Sequence, residues 1–253
     1  MLTIDPPRRP VAPPPRLGPP PRPRRPTAGP GVVIVSPDVD ASLAWAGRLH
    51  RAGPPRYLVR RWGDHRGYEH LRRAPGVLAL LDVPHPESGA ELVQRIRSLR
   101  LLAPVAVATA HRVDHAALLS AGAVNVLRRN SAESALAARI EADLRWLRRG
   151  PAPGPGRREP LRPYRSQSLL LGILLAVRSP LCCHDMRWLL GDAARPMSLR
   201  ALRARVARLA PHLARHGLVC HRQVRWGADT LTVHPVAPVA PVAPVAPAAQ
   251  GRA

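Results

Sequence analysis

Between residues 32 and 148, short apolar runs alternate with segments whose apolar residues recur every three or four positions. The runs are Val32–Ser36, Tyr57–Trp62, Val77–Asp82, Val105–Thr109 and Val124–Leu127. Between them lie Ala41–Ala52, His65–Arg73, Ser88–Leu102 with Leu92, Ile96 and Leu99 at helical spacing, and Asp114–Ala121 closed by Gly122. A last helix is expected after Ser131 as its cap, with Glu133 in the first turn. Near-continuous apolar strands separated by helices require a parallel sheet covered on both faces. The pattern predicts an α/β domain of flavodoxin-like, doubly wound, five-stranded type.

The pattern changes after residue 165. Ser166 is placed to cap a helix carrying Leu169, Leu170, Ile173, Leu174 and Val177, and Ser179-Pro180 reads as the start of another that runs to Gly191. Ser198 caps a third, with an apolar stripe of Leu199, Leu202, Val206, Leu209 and Leu213. Pro211 is expected to end or kink this helix near Leu209. Leu218–Arg225 and Thr230–His234 are then expected to pair around Trp226-Gly227-Ala228-Asp229. Three helices and a C-terminal hairpin predict a winged helix-turn-helix. The expected organisation is a Pro/Arg-rich arm over residues 1–31, the α/β domain over 32–148, a Pro/Gly/Arg linker over 149–165, the winged helix over 166–234, and a Pro-Val-Ala tail over 235–253.

Charge sharpens this division. The net charge is +23, and all 39 basic residues are Arg. Absence of Lys, with 32 Pro, also fits a GC-rich coding bias, so location matters more than total. Residues 151–234 carry a net +10 and residues 32–150 a net +7, so the second segment is the more basic per residue. A basic C-terminal domain suits a polyanionic partner. Cys182, Cys183 and Cys220 are odd in number and imply no disulfide framework, so a reducing, cytoplasmic setting is expected. The N-terminus has no apolar signal region, and Leu169–Val177 is too short to span a bilayer. Cys182, Cys183, His184, Cys220 and His221 are a poor zinc set, because adjacent cysteines diverge on a helix. Neither a nucleophile elbow nor a Walker phosphate loop is present; no enzymatic activity, metal or cofactor is expected.

Several motifs in residues 32–148 resemble the receiver domain of two-component response regulators. Asp82 closes the third strand where receivers carry their phosphate-accepting Asp, and DVPHP (Asp82 to Pro86) keeps the Asp-x-x-x-Pro spacing. Thr109-Ala110 is similar to the switch Thr-Ala of that family, and SAGAVNVLRR (Ser120 to Arg129) to its AGA-x-x-Y-L-x-K stretch. The departures concern chemistry. Ser36 and Pro37 stand where receivers hold Mg²⁺ with an acidic pair, Asp38 being one place later; Arg129 replaces the Lys, Val126 the switch aromatic, and Gly89 comes one residue early. The resemblance therefore implies a degenerate receiver, with Asp82 as phospho-acceptor-like, Thr109 and Arg129 as switch-like, and no ordinary Mg²⁺-dependent phosphorylation. Downstream, MRWLLGD (Met186 to Asp192), LRARVARLAPHL and QVRWGADTL (Gln223 to Leu231) resemble the OmpR/PhoB-type output domain, without its N-terminal strands and without the second Gly and the Tyr of its wing.

A major groove admits one α-helix, and Arg is its commonest base reader. The candidate reading residues are Arg200, Arg203, Arg205 and Arg208, facing the groove as 200/203 or 205/208; Arg222 and Arg225 of the hairpin are candidates for phosphate or minor-groove contact. The expected function is that of a DNA-binding transcriptional regulator, with double-stranded DNA as partner and a homodimer through the receiver-like domain. The rival reading is a protein-interaction adaptor without sequence-specific DNA binding.

Overall fold

The computed structural model of the chain describes residues 31–53, 55–74, 76–149, 165–177, 179–225 and 227–236. The expected arm, linker and tail lie outside the described residues except at their edges.

Five parallel strands form the first sheet: β1 (Val32–Ser36), β2 (Tyr57–Arg61), β3 (Leu78–Val83), β4 (Val105–Thr109) and β5 (Ala123–Arg128), in the order β2-β1-β3-β4-β5. The intervening helices are α1 (Val39–Arg51), α2 (His65–Arg73), α3 (Gly89–Leu99), α4 (His115–Ala121) and α5 (Glu133–Arg149). This is a doubly wound, flavodoxin-like fold. Side chains alternate along each strand, so each strand feeds two cores. Val32, Ile34, Leu78, Leu80, Ala106 and Ala108 pack with Trp45 and Leu49 of α1 and with Leu136, Ile140 and Leu144 of α5. Val33, Val35, Ala79, Leu81, Val105 and Val107 pack toward α2, α3 and α4.

Side chains cap the helix starts where the chain provides them. Asp38, Asp64, Ser88, Asp114 and Ser198 each accept a backbone N–H in the first turn, an interaction worth about 1 kcal/mol apiece. Gly122 ends α4 at φ 99°, a left-handed conformation that suits glycine. Ser131 does not cap α5. Its N–H bonds the Arg128 carbonyl in a turn, and Ala132 precedes the helix.

The C-terminal part comprises α6 (Arg165–Ala176), a two-residue strand β6 (Leu181–Cys182), α7 (Cys183–Leu190), α8 (Leu199–Arg215) and the hairpin β7 (Leu218–Arg225) and β8 (Ala228–Pro235). The sheet order is β6-β8-β7, all antiparallel, an arrangement compatible with a winged helix. Two local expectations are corrected. Ser179-Pro180 does not start a helix, because Leu181 and Cys182 pair with Leu231 and Thr230 and α7 begins at Cys183. Pro211 does not end α8, which continues to Arg215. A proline in a helix interior costs about 3 kcal/mol. Here it lies on the exposed face, where water can take the carbonyl it leaves unpaired, and continuing the helix buries Leu213 fully, worth about 2 kcal/mol beyond the added backbone bonds.

The C-terminal helices dock on the α2–α3 side of the parallel sheet. One cluster of buried residues runs from Val33 of β1 through Leu92 and Ile96 of α3 into Leu169, Met186 and Leu209. Polar contacts fix the docking. The Trp62 indole donates to the Trp188 carbonyl at 3.1 Å, and Gln94 donates to Asp185 at 2.6 Å. Arg95, only 2% exposed, pairs with Glu87 at 3.0 Å and Glu91 at 2.8 Å on its own side and donates to the Ala193 carbonyl at 2.8 Å on the other. Its guanidinium also lies 4.8 Å from the Trp62 ring centre and 5.5 Å from that of Trp188. Gly63, at φ 85°, is pressed against the Gly191 carbonyl, where a Cβ would sit at 2.8 Å.

Removing one partner of a buried ion pair leaves the other uncompensated, at about 3–5 kcal/mol. Arg95→Ala should therefore lower the unfolding free energy by about that amount in a denaturant titration. A loss below about 1 kcal/mol, the range of exposed pairs, would show that Arg95 does not hold the two parts together.

Candidate functional site

Two places bring together the residues that the sequence singles out. The first is the carboxyl end of the parallel sheet. Asp82, near the end of β3, is wholly buried. Its Oδ2 accepts from the Ser42 hydroxyl of α1 at 2.5 Å, and its Oδ1 accepts from Arg129 Nε at 2.8 Å. Arg129 Nη2 also donates to the Ala41 carbonyl at 2.8 Å, and the guanidinium lies 5.1 Å from the Trp45 ring centre. Burial pushes the Asp82 carboxyl above its ordinary value, against the lowering effect of the Ser42 and Arg129 hydrogen bonds and of the Arg129 charge.

Receivers use this end of the sheet for Mg²⁺, so the fit of the residues present can be tested. Mg²⁺ needs carboxylate or water oxygens in near-octahedral array. Both Asp82 oxygens are engaged by Ser42 and Arg129. Asp38 caps α1 with Oδ1 and meets His85 Nε2 at 2.9 Å with Oδ2. The cap and His85 hold its carboxyl below the usual range. The Ser36 hydroxyl is 3.0 Å from the Asp82 carbonyl and accepts from the Asp38 N–H. These residues do not fit the ion: their oxygens are committed to one another, and a guanidinium occupies the approach to Asp82. Thr109 is buried, and its Oγ1 accepts from the His111 N–H, closing the turn after β4.

The second place is α8 with the β7–β8 hairpin. Successive helical residues are 100° apart, and the buried Leu202, Leu209 and Leu213 define the inner face. Arg200, Ala204, Ala207, Arg208, Pro211 and Arg215 are all exposed on the outer side. The expected pairings 200/203 and 205/208 are replaced by a different division. Arg203 leans to the hairpin, meeting Asp229 at 3.5 Å, and Arg222 meets the same carboxylate at 2.5 Å. The Arg222 hydrogen bond holds the Asp229 carboxyl below its usual range. Arg205 is half-buried, and its charge is felt by His65 of α2. Because α8 continues past Pro211, Arg215 is also helical and exposed. Arg225 lies in β7, and its side chain falls outside the described residues.

The cysteines are dispersed. Cys182 is on β6 and Cys220 on β7, with β8 between them and three residues of offset along the strands, so they stand about 14 Å apart. Burial pushes the Cys183 thiol up to about 12. Among the described residues no group of His, Cys, Asp or Glu could hold a metal ion, and no helix is long and apolar enough to cross a membrane.

No family model matches the chain, and no curated protein matches it. Solved structures similar to its first half include a response regulator from Thermotoga maritima, at 23% identity and TM-score 0.34, covering 46% of this chain and 98% of that one. A DNA-binding response regulator of the LuxR family from Staphylococcus aureus is 14% identical at TM-score 0.34, covering 45% and 97%. The Mn²⁺-bound form of response regulator Rcp1 is 18% identical at TM-score 0.32, covering 49% and 100%.

The Asp82 environment has a signed consequence. A carboxyl whose folded-state pKa is raised contributes stability that is fully present below its unfolded value, near 3.8, and lost as pH rises through the folded value. The stability difference between the wild type and Asp82→Asn should therefore shift against the wild type as pH rises from below 4 toward neutrality. Urea titrations across that range check it; a difference moving in favour of the wild type would mean that pairing with Arg129 outweighs burial.

Proposed function

We propose that the chain is a DNA-binding transcriptional regulator. In this reading a response-regulator-like receiver is joined to a winged helix-turn-helix and works without ordinary Mg²⁺-dependent phosphorylation of Asp82. The observation that carries it is the outer face of α8. Arg200, Arg208 and Arg215 surround Ala204, Ala207 and Pro211, and all are exposed. Small residues at the centre of a helix face let its backbone approach the floor of a major groove, while Arg at the margins reaches base edges or phosphates. The β7–β8 hairpin beside α8 adds Arg222, positioned by Asp229.

The Asp82 pocket supports the second half of the reading. Its carboxylate is already satisfied by Ser42 and Arg129, so an internal cation stands where an exchangeable ion would be needed. A homodimer through the receiver-like half would place two α8 helices on half-sites one helical turn apart. Leu119, Val124 and Trp146 are exposed on α4, β5 and α5 and offer apolar area for such a pairing.

Footprinting the full chain on genomic fragments tests the reading. A protected sequence with a steep salt dependence is expected. Arg200→Ala and Arg208→Ala should each weaken binding to that site by about 1–3 kcal/mol where the lost contact is to a base. Absence of a footprint on any fragment would favour the adaptor reading instead.

A further inference from the structure

We propose that α2 of the receiver-like half supplies a second phosphate-contacting surface for the duplex read by α8, on the flank away from the hairpin. The inference rests on the DNA-binding reading and adds a surface to it. His65, Arg66, Glu69, His70 and Arg73 of α2, with Ser168 of α6, line an open cleft of about 480 Å³. The one acid there is engaged: Glu69 holds Arg72 at 3.0 Å and Arg73 at 2.8 Å. His65 Nδ1, His70 Nε2 and Arg205 Nη1 are buried without a hydrogen-bond partner among the described residues. Arg66, exposed and without an ion-pair partner among the described residues, is the cation this cleft offers to an anionic ligand rich in acceptors, which describes a phosphate group.

The position of the cleft selects the backbone of DNA as the source. Arg203 and Arg205 are two residues apart, hence about 200° around α8. The first meets Asp229 of the hairpin, whereas the second lies near enough to His65 for its charge to act there. Cationic groups therefore run from Arg208 and Arg205 of α8 onto α2, as Arg203 and Arg222 do toward the hairpin. A duplex seated on the outer face of α8 would have the hairpin along one strand and α2 along the other. Trp62, just before α2, and Arg95 of α3 bond the carbonyls of Trp188 in α7 and Ala193 in the loop that leads to α8, which ties the elements next to α2 and α8 together.

Fluorescence anisotropy of the full chain with its footprinted DNA, at several salt concentrations, tests this with Arg66→Ala and Arg66→Glu. Arg66 is exposed, so both variants should fold, and thermal melts check that they do. The slope of log affinity against log salt should fall by about 1 for Arg66→Ala, with binding to operator and unrelated DNA weakened alike. Arg66→Glu should lose more. Wild-type slope and affinity in both variants would overturn the proposal while leaving DNA reading by α8 intact. No DNA binding by the wild type would overturn both. If inorganic pyrophosphate perturbs the His65 and His70 NMR signals while the Arg66 variants bind DNA normally, the cleft takes a small free anion and the DNA assignment fails.

Discussion

The arrangement of the molecule depends on one buried charge. Arg95 lies almost wholly inside the protein, held by Glu87 and Glu91 from its own half and by the Ala193 carbonyl from the other. Removing a guanidinium from water costs several kcal/mol unless partners compensate it. Nε and Nη2 of Arg95 are paired, Nη1 has no partner among the described residues, and the one partner from the second half, the Ala193 carbonyl, is met when the C-terminal helices sit in this register on the α2–α3 face. The apolar cluster around Leu169, Met186 and Leu189 supplies the area of the contact, and Arg95 with the Trp62–Trp188 bond supplies its geometry.

The same chemistry recurs at the end of β3 with a different consequence. Arg129 satisfies Asp82 from within, helped by Ser42, and rests on Trp45. In a receiver that relays a signal, that carboxylate must be reachable. Here its oxygens are engaged and its surroundings closed. Under the proposed function, the receiver-like half contributes surface and rigidity: a platform for α7 and α8, and the α2 cleft beside the reading helix.

Much of the first half was legible in the chain. The limits of β1, α2 and β4 coincide with the apolar runs and spacings, because a strand buried on both faces leaves a continuous apolar signature. Local signals failed where tertiary contacts outweighed them. Ser179-Pro180 has the composition of a helix start, yet Leu181 and Cys182 are drawn into the hairpin sheet, and a two-residue strand has no periodicity to detect. Pro211 is tolerated because it faces solvent. Arg95 was not legible at all, since an arginine in an amphipathic helix reads as a solvent-facing residue until the second half covers it. The separation of Arg203 from Arg205 was within reach of a helical wheel, but which flank lies toward α2 was not.

Through the contact around Arg95 the first half and the C-terminal helices should behave as one fixed body that an acyl-phosphate donor does not loosen. Native-state hydrogen exchange measures this directly, by comparing core amides of α3 with those of α7 in the presence and absence of Mg²⁺ and acetyl phosphate. Both helices should open with about the same free energy, and the additions should change neither. Amides of α7 that exchange through a much cheaper opening than those of α3, or that lose protection when acetyl phosphate is added, would contradict it.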